Sequence, residues 1–116
     1  MPDERWVEIG GLEDIPRQGS RRVKRVGKPY PVAVFRTDDD RVFALVNRCP
    51  HHGAPLSEGY VRGCTVSCPL HGWVIDLESG KAQAPDEGMA PSVAVQLIEG
   101  RVFLAAWAVG APGEWE

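Results

Sequence analysis

Neither cysteine nor histidine occurs outside residues 49–71 of this 116-residue sequence, and that window holds three of each. No apolar run approaches the roughly 20 residues that a helical membrane span needs. The N-terminal stretch MPDERWVEI is charged and lacks the apolar centre of a secretory leader, so a cytoplasmic location is expected. Thiols stay reduced there, and an odd count of three cysteines argues against a disulfide framework. Basic residues number 13 against 16 acidic ones, a net charge of −3, so nothing asks for nucleic acid or an anionic membrane as partner. A long repeat of 3.6 residues is missing, which removes helical bundles. So is any paired nucleophile and base, acid–base pair or phosphate cradle, so the chain by itself is expected to convert no substrate.

What is present is a chain of ordinary globular composition, 43% hydrophobic and 25% charged, of a length typical for one domain. Short strands separated by turn signals dominate. RWVEIG alternates well enough for a first strand, and RRVKRVG is a second candidate. PVAVFRT and RVFALVN, bridged by Asp38, Asp39 and Asp40, form a natural hairpin. WVIDLE reads as a further strand leaving through the turn SGK, and SVAVQLIEG with RVFLAAW, joined at Glu99-Gly100, as a closing hairpin. About eight short strands at regular spacing predict an all-β sandwich or antiparallel barrel. Arg21, Arg22, Lys24 and Arg25 suit an edge strand kept from aggregating by charge, with docking of an acidic partner as the alternative. PDEG at 85–88 reads as a turn, with a contact surface as the alternative.

The soft ligands fall into two clips. Cys49-Pro50-His51 is followed, after sixteen residues, by Cys68-Pro69-Leu70-His71. Each clip offers one thiolate and one imidazole on a short loop stiffened by proline. Such a set can hold a tetrahedral zinc ion or an iron–sulfur cluster. Zinc ribbons and fingers usually pair like with like, whereas both clips here are mixed. Mixed clips suit a two-iron cluster in which one iron takes both thiolates and the other both imidazoles. GCTVSC before the second clip and WVIDLE after it put that clip at the tip of a β-hairpin. His52 breaks the C-x-H frame and is expected to pack in the loop or face solvent. Cys64 is expected on the strand leading to the second clip, as a small buried hydrophobe.

The pattern C-x-H-x16-C-x2-H in this setting resembles the Rieske family. The resemblance implies a Rieske-like antiparallel β-sandwich or barrel, with a cluster-binding subdomain formed by two loops. It implies one domain over 1–116, with a core at about 5–106, a cluster-binding part at about 47–80 and a tail at about 107–116. It also implies a 2Fe-2S cofactor and a metal site of Cys49 and Cys68 on the buried iron, His51 and His71 on the exposed one. One-electron transfer is the implied activity. Respiratory members of the family carry a disulfide between the loops, and Ala54 and Leu70 stand at those places here. They also donate serine and tyrosine hydroxyls to the cluster sulfurs, where this chain has Trp73 and Ile75. Hydrogen bonds to sulfur stabilise the reduced state, so their loss predicts a potential near the low end of the Rieske range, about −150 mV.

Within the family, WVEIGGLEDIP, CPLHGWVIDLESGKA, PDEG and VQLIEGRVFL are most similar to the small subunit of assimilatory NAD(P)H-dependent nitrite reductase. That resemblance implies a large subunit carrying FAD, an iron–sulfur cluster and sirohaem as partner, and nitrite reduction to ammonia as the activity of the pair. A soluble Rieske ferredoxin serving a ring-hydroxylating dioxygenase is the alternative, and a structural zinc-binding interaction module a more distant one. Gly72, where asparagine is frequent in the nitrite reductase group, and the basic stretch SRRVKRVGK depart from the pattern.

Overall fold

The computed structural model describes residues 5–25, 30–50, 53–69, 72–83 and 86–109. Its strands are β1 (Trp6–Gly11), β2 (Gly19–Val23), β3 (Val32–Arg36), β4 (Val42–Val46) and β5 (Tyr60–Arg62). They continue as β6 (Thr65–Ser67), β7 (Val74–Asp76), β8 (Ser92–Val93), β9 (Val95–Ile98) and β10 (Arg101–Ala105). Among the described residues, helix is confined to two short 3-10 turns, Leu12–Asp14 and Leu56–Glu58, and the single turn α1 (Ala106–Val109). Three sheets result, ordered β1-β10-β9, β2-β3-β4-β8 and β5-β6-β7, with antiparallel pairing throughout. The expected all-β class is therefore the observed one. Among the described residues, no helix is long and apolar enough to cross a membrane.

Both foreseen hairpins form, each for a local reason. In the β3–β4 turn the Thr37 N–H donates to the Arg41 carbonyl at 2.9 Å, and Asp40 takes a left-handed φ of 64°. The Thr37 side chain is buried and its hydroxyl bonds the Asp39 carboxylate, while Arg36 reaches Asp40 at 2.9 Å. At the β9–β10 turn both Glu99 and Gly100 have positive φ, 50° and 79°, the backbone that tight two-residue hairpins require.

β2 lies at the edge of its sheet, pairing with β3 alone, which agrees with the charged-edge reading of its arginines. It begins two residues before the expected segment and ends at Val23. β5 went unforeseen because its three residues bury only Val61 and carry too little alternation to be seen. SVAVQLIEG is not one strand. It breaks at Ala94, so that β8 pairs with β4 and β9 pairs with β10, and one segment serves two sheets.

β3 explains the core. Val32, Ala33, Val34 and Phe35 are all fully buried, so both faces of this strand are covered. Val32 and Val34 join Ile9, Val102 and Leu104 in an aliphatic cluster that includes residues of β1 and β10. Ala33 and Phe35 join Leu45, Leu56, Val66 and Ile75 in a second cluster, and that one contains Cys49 and Cys68. Between β4 and β8 the chain makes one long excursion carrying both clips. Its ends meet: Ala44 pairs with Val93, and the Val46 N–H donates to the Pro91 carbonyl at 2.8 Å.

Candidate metal centre

The two clips have the same backbone construction. The Cys49 N–H donates to the Ala54 carbonyl at 2.7 Å, and the Gly53 N–H returns to the Cys49 carbonyl at 2.9 Å. In the second clip the Cys68 N–H donates to the Trp73 carbonyl at 2.7 Å, and the Gly72 N–H to the Cys68 carbonyl at 3.0 Å. Gly53 and Gly72 turn the chain with φ of 75° and 73°, a conformation in which glycine is unstrained. The sequence signal is a repeat, Cys-Pro-x-His-Gly at 49–53 and 68–72, which the ligand spacing alone does not display. Its register aligns His52 with His71, whereas the C-x-H frame selects His51.

Different elements present the two clips. β6 runs into Cys68 and β7 leaves after Trp73, with Ser67 paired to Val74 and Val66 to Ile75, so the second clip is the tip of a hairpin as expected. The first clip stands on a loop from β4 to β5 and needs another brace. Asn47, almost fully buried, donates from Nδ2 to the Ser57 hydroxyl at 3.0 Å and accepts from the Ser57 N–H at 2.8 Å. Ser20 of β2 donates to the Ser57 carbonyl at 2.9 Å and ties this loop to the barrel. Leu56 anchors it in the core. None of this brace was read from the sequence, because Asn47 and Ser57 look like ordinary loop residues until the fold joins them.

Cys49 and Cys68 are buried and belong to one core cluster. Burial of two thiols on matched rigid clips fits the thiolate end of a two-iron cluster, since thiolate is the ligating form and the apolar shell excludes water from it. The other two expected ligands, His51 and His71, lie outside the described residues, as do His52 and Leu70. Trp73 is half-buried against the same core cluster, and Ile75 is fully buried in β7.

Cys64 corrects an expectation. It lies on the turn between β5 and β6, is only half-buried, and its carbonyl accepts from the Leu77 N–H at 2.8 Å. The strand expected through it starts one residue later, because Gly63 takes a φ of 55° and turns the chain there. Its side chain stands near Arg41, a guanidinium whose pKa is raised chiefly by Asp39 and less by Cys64.

The Rieske [2Fe-2S] domain profile matches residues 5–97. The chain belongs to that family, and its cofactor is a Rieske 2Fe-2S cluster. Among curated proteins it is 34% identical, over 84% of its length and 88% of the relative's, to the anthranilate 1,2-dioxygenase ferredoxin subunit of Burkholderia cepacia. A chain in the solved complex of reduced oxygenase and oxidized ferredoxin of carbazole 1,9a-dioxygenase is 30% identical with a TM-score of 0.75, covering 98% of both chains. A putative NADH-dependent nitrite reductase small subunit from Mycobacterium tuberculosis superposes with a TM-score of 0.76, over 88% of this chain and 95% of that one. At 24% identity, that last likeness carries the fold alone.

Proposed function

We propose that this chain is a cytoplasmic one-electron carrier, a Rieske ferredoxin that delivers electrons to a ring-hydroxylating dioxygenase. The observation that carries this reading is the 34% identity to a dioxygenase ferredoxin subunit across nearly the whole of both chains. This reverses the order of the two readings reached from sequence motifs, where the nitrite reductase small subunit came first. The motifs shared with that subunit lie largely in strands and turns of the common fold, so they say less about the partner than about the barrel.

When bound, the cluster supplies a couple that takes up and releases one electron. Cys49 and Cys68 are assigned to the buried iron, His51 and His71 to the outer one. Backbone hydrogen bonds brace both clips at Cys49 and Cys68, the residues that would present the two sulfurs. Imidazole in place of two thiolates removes two negative charges and eases reduction, while Trp73 and Ile75 bring no hydroxyl to the sulfurs.

The decisive experiment supplies the reduced protein to two acceptors: the oxygenase component of a ring-hydroxylating dioxygenase, and a nitrite reductase large subunit carrying FAD, an iron–sulfur cluster and sirohaem. Product formation with the oxygenase alone is expected. Nitrite-dependent turnover only with the large subunit would restore the nitrite reductase reading. A colourless, zinc-loaded protein would leave a structural interaction module.

A further inference from the structure

The basic segment that edges β2 does not end as mere edge protection. Its last residue, Arg25, donates from Nε to the Tyr30 carbonyl at 2.8 Å. Arg48, the residue before the first clip's cysteine, lays its guanidinium 5.0 Å from the centre of the Tyr30 ring. Together with Val46, Pro50, Met89 and Pro91, these side chains line an open cavity of about 360 Å³. Pro50 follows Cys49 directly, so the rim of the cavity is part of the clip itself.

Among the described residues, no carboxylate compensates the charge here. Most other arginines with a resolved side-chain contact face a carboxylate: Arg17 and Arg36 meet Asp40, Arg41 meets Asp39, and Arg101 meets Glu8. Among the described residues Arg25 and Arg48 meet none, and Asp86 and Glu87, on the segment that brings in Met89, form no ion pair with them. Partial burial lowers the pKa of Arg25, the sign of a cation losing water without gaining an anion. Met89 is 55% exposed at the same cavity, an apolar side chain with its outer half uncovered. A chain of net charge −3 thus gathers beside its clip an exposed methionine and two cations that meet no carboxylate among the described residues.

We propose that this cavity is the docking point for a carboxylate-bearing segment of the redox partner, an acidic side chain with an apolar neighbour, seated between Arg25 and Arg48 against Tyr30 and Met89. The inference rests on the electron-carrier reading and names the chemistry of the surface that the carrier recognises. Two guanidiniums present planar donor pairs to a carboxylate, and the aromatic and methionine faces accept the apolar part. Arg22 and Lys24 of the same segment are exposed and add attraction at a distance.

The test uses the holoprotein, reduced and then mixed rapidly with one-electron acceptors of opposite charge, hexacyanoferrate(III) and hexaammineruthenium(III). Net charge alone predicts that the anionic acceptor is disfavoured and that salt speeds it. The local patch predicts the reverse, with oxidation by the anion slowed by salt. In the double variant Arg25→Glu/Arg48→Glu, the ratio of anionic to cationic rates should fall at least about tenfold at low ionic strength. Taking the ratio removes any change of driving force. A matched control, Arg17→Glu/Arg101→Glu, reverses one charge beside the β3–β4 turn and one at the start of β10, neither lining the cavity, and should leave the ratio within twofold of wild type. An oligoglutamate peptide should slow the anionic reaction of wild type and not that of the Arg25/Arg48 variant. A wild-type rate that rises with salt, equal ratios in the two variants, or no peptide effect would each overturn the docking site. Such results in brown protein with an intact reduced EPR signal leave the carrier reading standing, whereas absence of that signal removes the carrier reading itself.

Discussion

The two halves of the core differ in what holds them together. One is aliphatic throughout: Ile9, Val34, Val102 and Leu104 need only each other. The other packs Phe35, Leu45, Leu56 and Ile75 around Cys49 and Cys68, the thiols proposed as ligands of the cluster. The first half is therefore a scaffold stable on its own terms, and the second a scaffold completed by its cofactor. β3 is the wall between them, with alternate side chains committed to either side.

The largest effects should come from the ligands. Cys68→Ser or His51→Ala should abolish the reduced EPR signal and the bound iron, whereas His52→Ala should retain both. Loss of iron with His52→Ala and retention with His51→Ala would mean that the Cys-Pro-x-His-Gly repeat, not the C-x-H frame, sets the ligands. Removing the metal should also separate the halves: amide exchange should quicken in β5–β7 and stay slow in β1 and β10.

Neighbouring residues on β3 sharpen the same contrast. Phe35→Ala should cost about 3–5 kcal/mol and hasten loss of iron, because it opens a cavity beside the thiols. Val34→Ala, facing the aliphatic half, should cost about 2 kcal/mol, with the cluster potential unmoved. Denaturant unfolding with voltammetry reads both, and a shift of potential with Val34→Ala would mean that the halves are mechanically coupled. Asn47→Ala comes next. It removes two hydrogen bonds from Ser57 and should cost about 1–3 kcal/mol, with faster iron release to a chelator at unchanged secondary structure.

The smallest effect belongs to the β3–β4 turn. The Thr37 hydroxyl, followed by the Arg41 guanidinium, holds the Asp39 carboxyl below its ordinary pKa. Its contribution is present above the unfolded carboxylate value and is lost as pH falls through the lowered one. At this exposed site Asp39→Asn should slightly lower stability at neutral pH, flatten the acid limb of a stability–pH curve, and leave cluster content alone.

What could be read from residues was what rests on short-range chemistry. The gathered cysteines and histidines marked the clips, and the Asp38–Asp40 run and Glu99-Gly100 marked the hairpins, because ligand sets and turns are local. The break at Ala94 was hidden because SVAVQLI alternates without interruption and only tertiary pairing assigns its halves to different sheets. Arg25 and Arg48 lie 23 positions apart, and only β3 and β4 bring them to the same tyrosine. Cys64 was misplaced because a cysteine next to a glycine gives no sign of whether the strand or the turn claims it.

The meeting of Val46 with Pro91 has a practical consequence. Because the metal-bearing excursion leaves and re-enters the barrel through two bonded neighbours, it is a cassette with adjacent ends. A tight loop in its place would rejoin β4 to β8 without rerouting the remaining chain, but would strip Phe35 and Leu45 of the cover that Leu56, Val66 and Ile75 supply.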